Sequence, residues 1–413
     1  MTGFIPLPRS NLDRLKCPVK VRPILRVSKA KDDALLLLED GSIFYGRAIG
    51  AATKAVGEAV FTTGMVGYCE SMTDPSFAGQ ILCFTYPLIG NYGVPAYEET
   101  DAFGLPRFFE SKSIKVKGIV VQEACLSPSH WASRRTLDDW LESEQIPGVE
   151  GVDTRALVTK LREYGVMMGI IASGKAADDL DELRSRLRGS ASYSSLDLVR
   201  EVSTKVPVTY GAAGPRVVLL DCGAKNGIVR NLLARGYQVV AVPFDSSYST
   251  VMKYDPAGVV VTNGPGDPRL CGDTARCVGT IVSADLPVLG ICLGEQLVGM
   301  SQGVETFKLK YGHRGQNKPC VDLTTGRGYV TSQNHGFSLD SKAMAGSDLT
   351  PWFVNSDDHT IEGVRHLRRP CIAVQFHPEA TPGPYDTGFV FDRFVELMSG
   401  ARPRGEEIRS VKA

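Results

Sequence analysis

Apolar residues in the first half of the chain fall into short runs that are separated by glycines. The runs ALLLLEDG (34–41), SIFYG (42–46), EAVFTTG (58–64) and GIVVQEAC (118–125) have the length and punctuation of β-strands. Within 135–146 and 154–165 the apolar residues recur at helical spacing, and Gly165 is placed to end the second helix. The pattern therefore predicts a mixed β/α region that ends near residue 190.

The hydrophobic pattern changes after residue 214. The strand-like runs RVVLLD (216–221), QVVAVPF (238–244), AGVVV (257–261) and PVLGI (287–291) follow one another at short intervals, and the helix-like run NGIVRNLLARGY (226–237) separates the first two. Strands that alternate with helices predict an α/β fold with a doubly wound, mostly parallel sheet. In such sheets the functional loops follow the carboxyl ends of the strands.

These patterns divide the chain into five predicted segments. They are a basic extension (1–33), a mixed β/α domain (34–190), a linker rich in serine, glycine and charge (191–214), a doubly wound α/β domain (215–400) and a polar tail (401–413). The longest apolar runs are far shorter than the roughly 18 residues that a membrane helix needs, so we expect no membrane partner.

Composition narrows the classes of function. The 46 lysines and arginines balance 46 aspartates and glutamates, and this zero net charge gives no electrostatic basis for binding nucleic acid. Ten cysteines are dispersed as single residues without a CxxC pair or a zinc-like Cys/His spacing. We therefore expect no metal site and a reduced, cytoplasmic location.

The amino-terminal extension leaves two interpretations open. Its first 31 residues contain eight lysines or arginines and a single acid, Asp13, as organelle targeting signals often do. Four prolines interrupt the amphipathic helix that such a signal forms. A flexible arm is the favoured interpretation, and a targeting signal is the alternative.

The first motif with chemical content is Gly290-Ile291-Cys292-Leu293-Gly294, which directly follows an apolar strand. A nucleophile between a strand and a helix, with glycines beside it, is typical of a nucleophile elbow. The amino terminus of the helix would stabilise a thiolate, and the N–H of Leu293 would form half of an oxyanion hole. The motif alone is weak, because a cysteine in a glycine-rich turn is more often structural.

A second motif, His377-Pro378-Glu379, follows the apolar run CIAVQF. Residues two apart in an extended chain point the same way, so Glu379 can hold the imidazole of His377 in one tautomer for acid–base work. The alternative is a histidine at a strand end beside a surface carboxylate. None of the other five histidines has an acid placed in this way after a strand.

Two further loops are candidates for substrate binding. The segment TNGPGDP (262–268) follows AGVVV and would expose backbone N–H groups that could cradle a carboxamide or an oxyanion. The segment QNHGF (333–337) places polar groups beside a glycine. Each loop alone could equally be an ordinary turn.

In this order, the motifs GICLGEQ, VVVTNGPGDP, SQNHGF and QFHPE closely resemble class I glutamine amidotransferases. The front-half segments LEDGSIFYGRAIG, VFTTGMVGYCESMTDPSFAGQIL, TYPLIGNYG and GVDTRALVTKLREYG look like the amino-terminal domain of the glutaminase subunit of glutamine-hydrolysing carbamoyl-phosphate synthetase. The resemblance runs from about Leu35 to Ser399. It implies a class I glutamine amidotransferase domain behind a small-subunit amino-terminal domain.

The resemblance also implies residue roles. Cys292 would attack the carboxamide of L-glutamine, His377 would transfer protons, and Glu379 would orient His377. The glutamine would be held by positions that match the contacts of the family: Ser76, Gly264, Gly266, Leu293, Gln296, Asn334, Gly336 and Phe337. Because Ser76 comes from the front domain, the site would span both domains.

The partner that the resemblance implies is a carbamoyl-phosphate synthetase large subunit or a fused synthetase domain. Ammonia would reach it through an internal tunnel, for pyrimidine or arginine biosynthesis or both. ATP, Mg²⁺ and bicarbonate would bind to that partner, and no cofactor is expected on this chain, which has no phosphate-binding Gly-Lys-Ser/Thr loop.

One position departs from the pattern of the family. The third residue after the nucleophile is often histidine, and here it is Glu295. A carboxylate that faced Cys292 would disfavour the thiolate, so we expect Glu295 to point away from it. The departure puts the basal rate of glutamine hydrolysis in doubt rather than the assignment.

Three alternatives compete with this interpretation. A glutaminase that serves another synthase, such as one making anthranilate or guanylate, would share the back half but not the front-half motifs. A regulatory relative that takes ammonia from solution would lack the nucleophile. An interaction module with a vestigial triad would show no glutaminase activity. The sequence leaves open the oligomeric state, the pathway, and whether the synthetase is a separate chain.

Overall fold

The computed structural model describes residues 33–400 of the chain. The predicted tail (401–413) and all but the last residue of the predicted basic extension lie outside this range. The predicted domain boundaries stay predictions. Residues 191–214, predicted as a linker, contain a short helix and a strand.

The first half of the described chain forms a closed barrel of seven strands. Around the barrel their order is β1, β2, β8, β6, β4, β3 and β9, and two further short strands, β5 and β7, pair with each other. The strands are β1 (Ala34–Leu38), β2 (Ile43–Gly50), β3 (Lys54–Thr62), β4 (Gln80–Phe84), β5 (Leu88–Ile89), β6 (Gly118–Val120), β7 (Glu123–Ala124), β8 (Pro147–Glu150) and β9 (Met167–Ser173).

Four helices accompany the barrel in the described chain. They are α1 (Tyr68–Thr73), α2 (Leu137–Ser143), α3 (Thr154–Tyr164) and α4 (Leu180–Arg188). Alternate residues of β1 belong to two different cores, with Leu36 packed in the cluster that includes Leu157 of α3 and Leu37 in the cluster that includes Leu183 of α4. Because both of its faces are buried, this strand is a continuous apolar run rather than an alternating one.

The second half forms a sheet that has ten strands within the described residues. Across the sheet their order is β10, β12, β11, β13, β14, β19, β18, β17, β15 and β16. The strands are β10 (Val208–Tyr210), β11 (Arg216–Asp221), β12 (Gln238–Pro243), β13 (Gly258–Val261), β14 (Val288–Ile291), β15 (Thr306–Asp322), β16 (Gly328–Leu339), β17 (Leu349–Asn355), β18 (Ile361–His366) and β19 (Cys371–Val374).

Helices cover both faces of this sheet. They are α5 (Leu198–Val202), α6 (Asn226–Ala234), α7 (Tyr248–Met252), α8 (Gly272–Ser283), α9 (Leu293–Ser301) and α10 (Phe389–Met398). Val218 of β11 packs in the cluster that contains residues of α8 and α9, and its neighbour Val217 packs in the cluster that contains residues of α6 and α10. The predicted doubly wound α/β fold is confirmed.

The strand order places the functional loops together. Strands β12, β11, β13, β14 and β19 are parallel neighbours, so the segments that follow their carboxyl ends meet at one edge of the sheet. Three of these segments carry the 262–268 loop, Cys292 and His377. Beyond β19 the sheet continues with antiparallel strands, which the sequence pattern did not predict.

None of the helices within 33–400 has both the length and the apolar character that crossing a membrane requires.

Candidate active site

Cys292 occupies a strained turn between β14 and α9. Its φ of 56° lies in the left-handed region, and its N–H donates to Val374 O at 2.8 Å. The neighbouring glycines allow this turn, because a Cβ on Gly294 would lie 1.9 Å from Val261 O and one on Gly290 would lie 2.7 Å from Gly294 O. The geometry is that of a nucleophile elbow at the amino terminus of a helix.

The imidazole of His377 is oriented by Glu379. His377 Nδ1 lies 2.6 Å from Glu379 Oε1, and both side chains are buried. His377 Nε2 is buried and has no hydrogen-bond partner among the described residues. Burial alone would lower the pKa of His377, but the carboxylate of Glu379 raises it to about 10, with a further contribution from Cys292. An imidazolium so placed can give a proton to a leaving group.

The motif analysis missed Lys225, which lies between the end of β11 and α6. Its Nζ is 2.9 Å from Glu379 Oε1, the same oxygen that binds His377, and the residue is only 4% exposed. Burial would raise the pKa of Glu379, but Lys225 and His377 lower it to about 2. Lys225 therefore keeps the orienting carboxylate ionised. The sequence did contain a signal for Lys225, because this residue closely follows a predicted parallel strand, where functional loops are expected.

A barrel-side carboxylate, Glu110, completes this charge cluster. It is buried, its Oε2 accepts a hydrogen bond from Gly227 N at 3.0 Å, and its charge raises the pKa of Lys225. The sequence offered no signal for it, because Glu110 lies in an irregular segment without hydrophobic periodicity.

Most of the predicted glutamine contacts lie together in one cavity. Cys292 lines it with seven of those eight residues: Ser76, Gly264, Gly266, Gln296, Asn334, Gly336 and Phe337. The eighth, Leu293, follows Cys292 directly, and its side chain packs beside Gly264. The cavity is also lined by residues that sequence reasoning missed, among them the polar side chains of Glu58, Gln80, Tyr193, Lys308 and Arg314.

Hydrogen bonds between residues of the two halves of the chain hold this cavity together. Asn263 Nδ2 donates to Ser76 Oγ at 2.9 Å, and Asn334 Nδ2 donates to Asp74 Oδ2 at 3.1 Å. Tyr193, from the segment predicted as a linker, accepts a hydrogen bond from Gly266 N at 3.1 Å. The site therefore contains residues from both halves of the chain.

A second cavity shares Asn334 with the first. His377, Lys225, Asp74 and Gln316 line it, and Gln316 is close to the exposed Val66, whose carbonyl accepts from Gln316 Nε2 at 2.8 Å. Asn334 lines both cavities, whereas His377 lines this one and not the cavity with the predicted glutamine contacts.

Glu295 is buried in the first turn of α9 and does not line the cavity that contains Cys292. Its Oε2 lies 3.1 Å from the side-chain amide of Gln375. Burial, with smaller contributions from Glu362 and Cys292, raises the pKa of Glu295 well above its ordinary value. Because burial shifts Glu295 toward its neutral form, it opposes a thiolate on Cys292 less than an exposed carboxylate at this position would.

Three buried groups behind the site are close enough to share a metal ion. The ligand atoms of His313, His335 and Glu362 lie within 4.8 Å of one another. Hydrogen bonds already engage these atoms: Glu362 accepts from Asn355 (3.0 Å) and Gln333 (2.9 Å), and His313 Nε2 lies 2.9 Å from Asp358. The arrangement is a satisfied polar network rather than an open coordination site.

The network predicts a pH-dependent contribution to stability. Burial alone would lower the pKa of His313, but Asp358 and Glu362 raise it to about 9, above the ordinary value near 6.5. The stabilisation is therefore complete below about pH 6.5 and disappears as the pH rises through about 9. His313→Gln is expected to lower the free energy of unfolding by about 1–3 kcal/mol at pH 6 and by much less at pH 10.

Urea unfolding of the wild type and His313→Gln at both pH values measures this difference. Exposed His359 provides the control, and His359→Asn is expected to change stability by less than about 0.5 kcal/mol at either pH. A deficit for His313→Gln that is equal at pH 6 and pH 10 would contradict the prediction.

Comparisons with known proteins agree with this geometry. Residues 36–171 match the family described as carbamoyl-phosphate synthase small chain, CPSase domain, and residues 218–397 match glutamine amidotransferase class-I. The carbamoyl phosphate synthase small chain of Pyrococcus furiosus is 46% identical over 89% of this chain and 98% of its own length. The carbamoyl phosphate synthase small chain of Saccharolobus solfataricus is 44% identical over 88% of this chain and 97% of its own length. The carbamoyl phosphate synthase arginine-specific small chain of Emericella nidulans is 44% identical over 91% of this chain and 81% of its own length. The chain therefore belongs to the family of carbamoyl-phosphate synthase small chains and is the glutamine-dependent component of that enzyme.

Proposed function

We propose that this chain hydrolyses L-glutamine through a thioester on Cys292 and delivers the ammonia to a carbamoyl-phosphate synthetase partner. The observation that carries the proposal is the shared cavity, in which Cys292 lies at a helix amino terminus among the predicted glutamine contacts. The hydrogen bond between His377 and Glu379 supports it, because it leaves Nε2 as the free nitrogen for proton transfer.

In the first half of the reaction, Cys292 gives its thiol proton to His377 and its Sγ forms a bond to the carboxamide carbon of glutamine. The resulting oxyanion is stabilised by the backbone N–H groups of Leu293 and Gly264. His377 gives a proton to the departing nitrogen, the C–N bond breaks, and ammonia leaves a thioester behind.

In the second half, water attacks the thioester carbon while His377 takes up its proton. The C–S bond breaks, glutamate leaves, and His377 returns the proton to Sγ, which regenerates Cys292. Glu379 stabilises the imidazolium in both halves, and Lys225 keeps Glu379 ionised. No cofactor on this chain takes part in the proposed reaction.

The second cavity supports an internal route for ammonia. It borders His377, the proposed proton donor to the leaving nitrogen, and it is also lined by Gln316, whose side chain donates to the carbonyl of the exposed Val66. The proposed receiver is the synthetase large subunit or a fused synthetase domain, which would bind ATP, Mg²⁺ and bicarbonate. The product would supply pyrimidine or arginine biosynthesis or both. Neither nucleic acid nor a membrane is a proposed partner.

An isotope experiment tests both the source of the nitrogen and the route. The complex of this chain with its synthetase partner is given glutamine labelled with ¹⁵N in the amide, in the presence of excess unlabelled ammonium. Channelling predicts that carbamoyl phosphate carries predominantly ¹⁵N. If the ¹⁵N content of carbamoyl phosphate equalled that of the ammonium in solution, the internal route would be excluded. If no carbamoyl phosphate formed from glutamine, the proposed function would be excluded.

We also propose a cytoplasmic location, which is supported by the nine cysteines of the described chain, all of which are free thiols. Fractionation of native cells, with the mass of the co-purifying partner measured, tests the location and separates a two-chain complex from a fused polypeptide. Recovery in an organelle fraction would favour the targeting interpretation of residues 1–33.

A further inference from the structure

The second cavity has a largely polar lining, and charged groups on its wall already have partners in the protein. Asp74 Oδ1 accepts a hydrogen bond from Ser76 N at 2.9 Å, and its Oδ2 accepts one from Asn334 Nδ2 at 3.1 Å. Lys225 Nζ is paired with Glu379 Oε1 at 2.9 Å. Asp74 and Lys225 are therefore committed to holding the site together.

Glu70 is a carboxylate on the same wall that keeps the capacity to bind a small molecule. It lies in the first turn of α1 and is half-buried. Within the described residues its carboxylate accepts a hydrogen bond from its own backbone N–H and forms no ion pair, although Lys225 attracts it from beyond ion-pair distance. Because a carboxylate offers about four acceptor positions, Glu70 can accept further hydrogen bonds from a molecule in the cavity.

The charge of Glu70 changes near neutral pH. Burial, with a smaller contribution from Glu110 and against the attraction of Lys225, raises the pKa of its carboxyl to about 7. At about pH 8.5 the group is therefore mostly ionised, and at about pH 6 it is mostly protonated. Three nearby groups stay neutral over this range because burial raises their pKa values, namely Tyr68, Cys69 and Tyr92. Asp74 and His377 are the other titratable groups on the cavity wall.

Ammonia matches an acceptor of this kind. It carries N–H donors and a lone pair, and the lone pair has to stay free of a proton for ammonia to act as a nucleophile. An ionised carboxylate accepts hydrogen bonds from the N–H groups and leaves the lone pair available. A protonated carboxyl instead gives its proton to the nitrogen: its O–H bond breaks, another N–H bond forms, and the resulting ammonium has no lone pair.

We propose that the carboxylate of Glu70 accepts N–H hydrogen bonds from the ammonia that leaves glutamine and holds it in the second cavity as a neutral nucleophile. The inference rests on the proposed internal route for ammonia. It extends that proposal by naming the group that binds ammonia after its release at Cys292 and the charge state in which this group does so.

The experiment measures leakage of ammonia from the complex with the synthetase partner. Glutamine, ATP and bicarbonate are supplied without added ammonium, and the leak ratio is the ammonia released to solution per carbamoyl phosphate formed. Because the ratio is counted per product, a change in the rate of glutamine hydrolysis alone does not alter it. Glu70→Met removes the acceptor and is expected to raise the leak ratio about 10-fold at pH 8.5. Glu98 is exposed and lines neither cavity, so Glu98→Met is expected to keep the wild-type ratio.

The pH profile separates the binding of ammonia from damage to the fold. The wild-type leak ratio is expected to rise about 10-fold from pH 8.5 to pH 6, as Glu70 becomes protonated. Glu70→Gln keeps the shape of the side chain but cannot titrate. Its leak ratio is expected to exceed the wild-type value at pH 8.5 and to change less than about 2-fold between the two pH values.

Two results would overturn the proposal: a wild-type leak ratio in Glu70→Met, or a Glu70→Gln profile that runs parallel to the wild-type profile. An equal rise in Glu98→Met would also overturn it, because the effect would then not depend on the cavity. A wild-type complex that forms no carbamoyl phosphate from glutamine would instead refute the proposed function itself, and this proposal with it.

Discussion

Cys292→Ser is expected to abolish glutamine-dependent synthesis of carbamoyl phosphate and to leave ammonia-dependent synthesis unchanged. A serine hydroxyl is a far weaker nucleophile than a thiolate. His377 is the described group placed to accept its proton, but its pKa of about 10 means that it is already protonated at neutral pH. The loss in kcat for glutamine hydrolysis is expected to be about 10⁴-fold or more, as for nucleophiles that act together with a base. Ammonia release from glutamine, measured alone and in the complex, is the assay.

The control is a buried cysteine outside the site. Cys277 lies on α8 and does not line either cavity of the site, so Cys277→Ser is expected to keep full glutaminase activity. If Cys292→Ser retained the glutaminase activity of the wild type, Cys292 would not be the nucleophile, whereas a wild type without glutaminase activity would indicate an interaction module with a vestigial triad. If ammonia-dependent synthesis were also lost, the cysteine would be needed for assembly with the partner rather than for chemistry.

Lys225→Met is expected to lower the free energy of unfolding by about 3–5 kcal/mol, because it leaves two buried carboxylates, Glu379 and Glu110, without their cation. The variant is also expected to lose most of its kcat for glutamine, since Glu379 no longer stays reliably ionised beside His377. KM for glutamine is expected to change little, because Lys225 does not line the cavity with the predicted glutamine contacts.

A second substitution separates the electrostatic cause from lost packing. Lys225→Met combined with Glu110→Gln removes one cation and one anion together, and it is expected to recover part of the lost stability. Lys253 is exposed, so Lys253→Met is expected to change stability by less than about 0.5 kcal/mol. Urea unfolding with steady-state kinetics checks each variant, and a double variant no more stable than Lys225→Met would contradict the charge argument.

Cys292 and His377, the proposed nucleophile and its histidine, could be singled out from the sequence because their signal is local. Cys292 and His377 each follow an apolar run, and parallel strand order brings such segments to one edge without any knowledge of long-range contacts. The glycines around Cys292 marked the elbow in the same way. The doubly wound fold followed from the same alternation of strands and helices.

Groups that act across the two halves of the chain carried no local signal. Glu110 lies in an irregular segment, and its role depends on a contact with a helix that starts more than a hundred residues later. Arg314 lies on β15, where buried and exposed residues do not alternate, so neither the strand nor the buried cation was predicted. Glu295 was expected to point away from Cys292, but its burial, which raises its pKa, depends on tertiary packing and carried no local signal.

The hydrogen bonds of Ser76 and Asp74 to the amidotransferase half have a consequence for protein engineering. A chimera that joined this amidotransferase segment to a foreign front half would replace the partners of Asn263 and Asn334 and remove the carboxylate beside Lys225. The two segments therefore have to be transferred together. A chimera that takes only one of them needs a redesigned interface with its new partner segment. Grafting the triad alone onto another scaffold would transfer the reactive atoms without the surroundings that orient them.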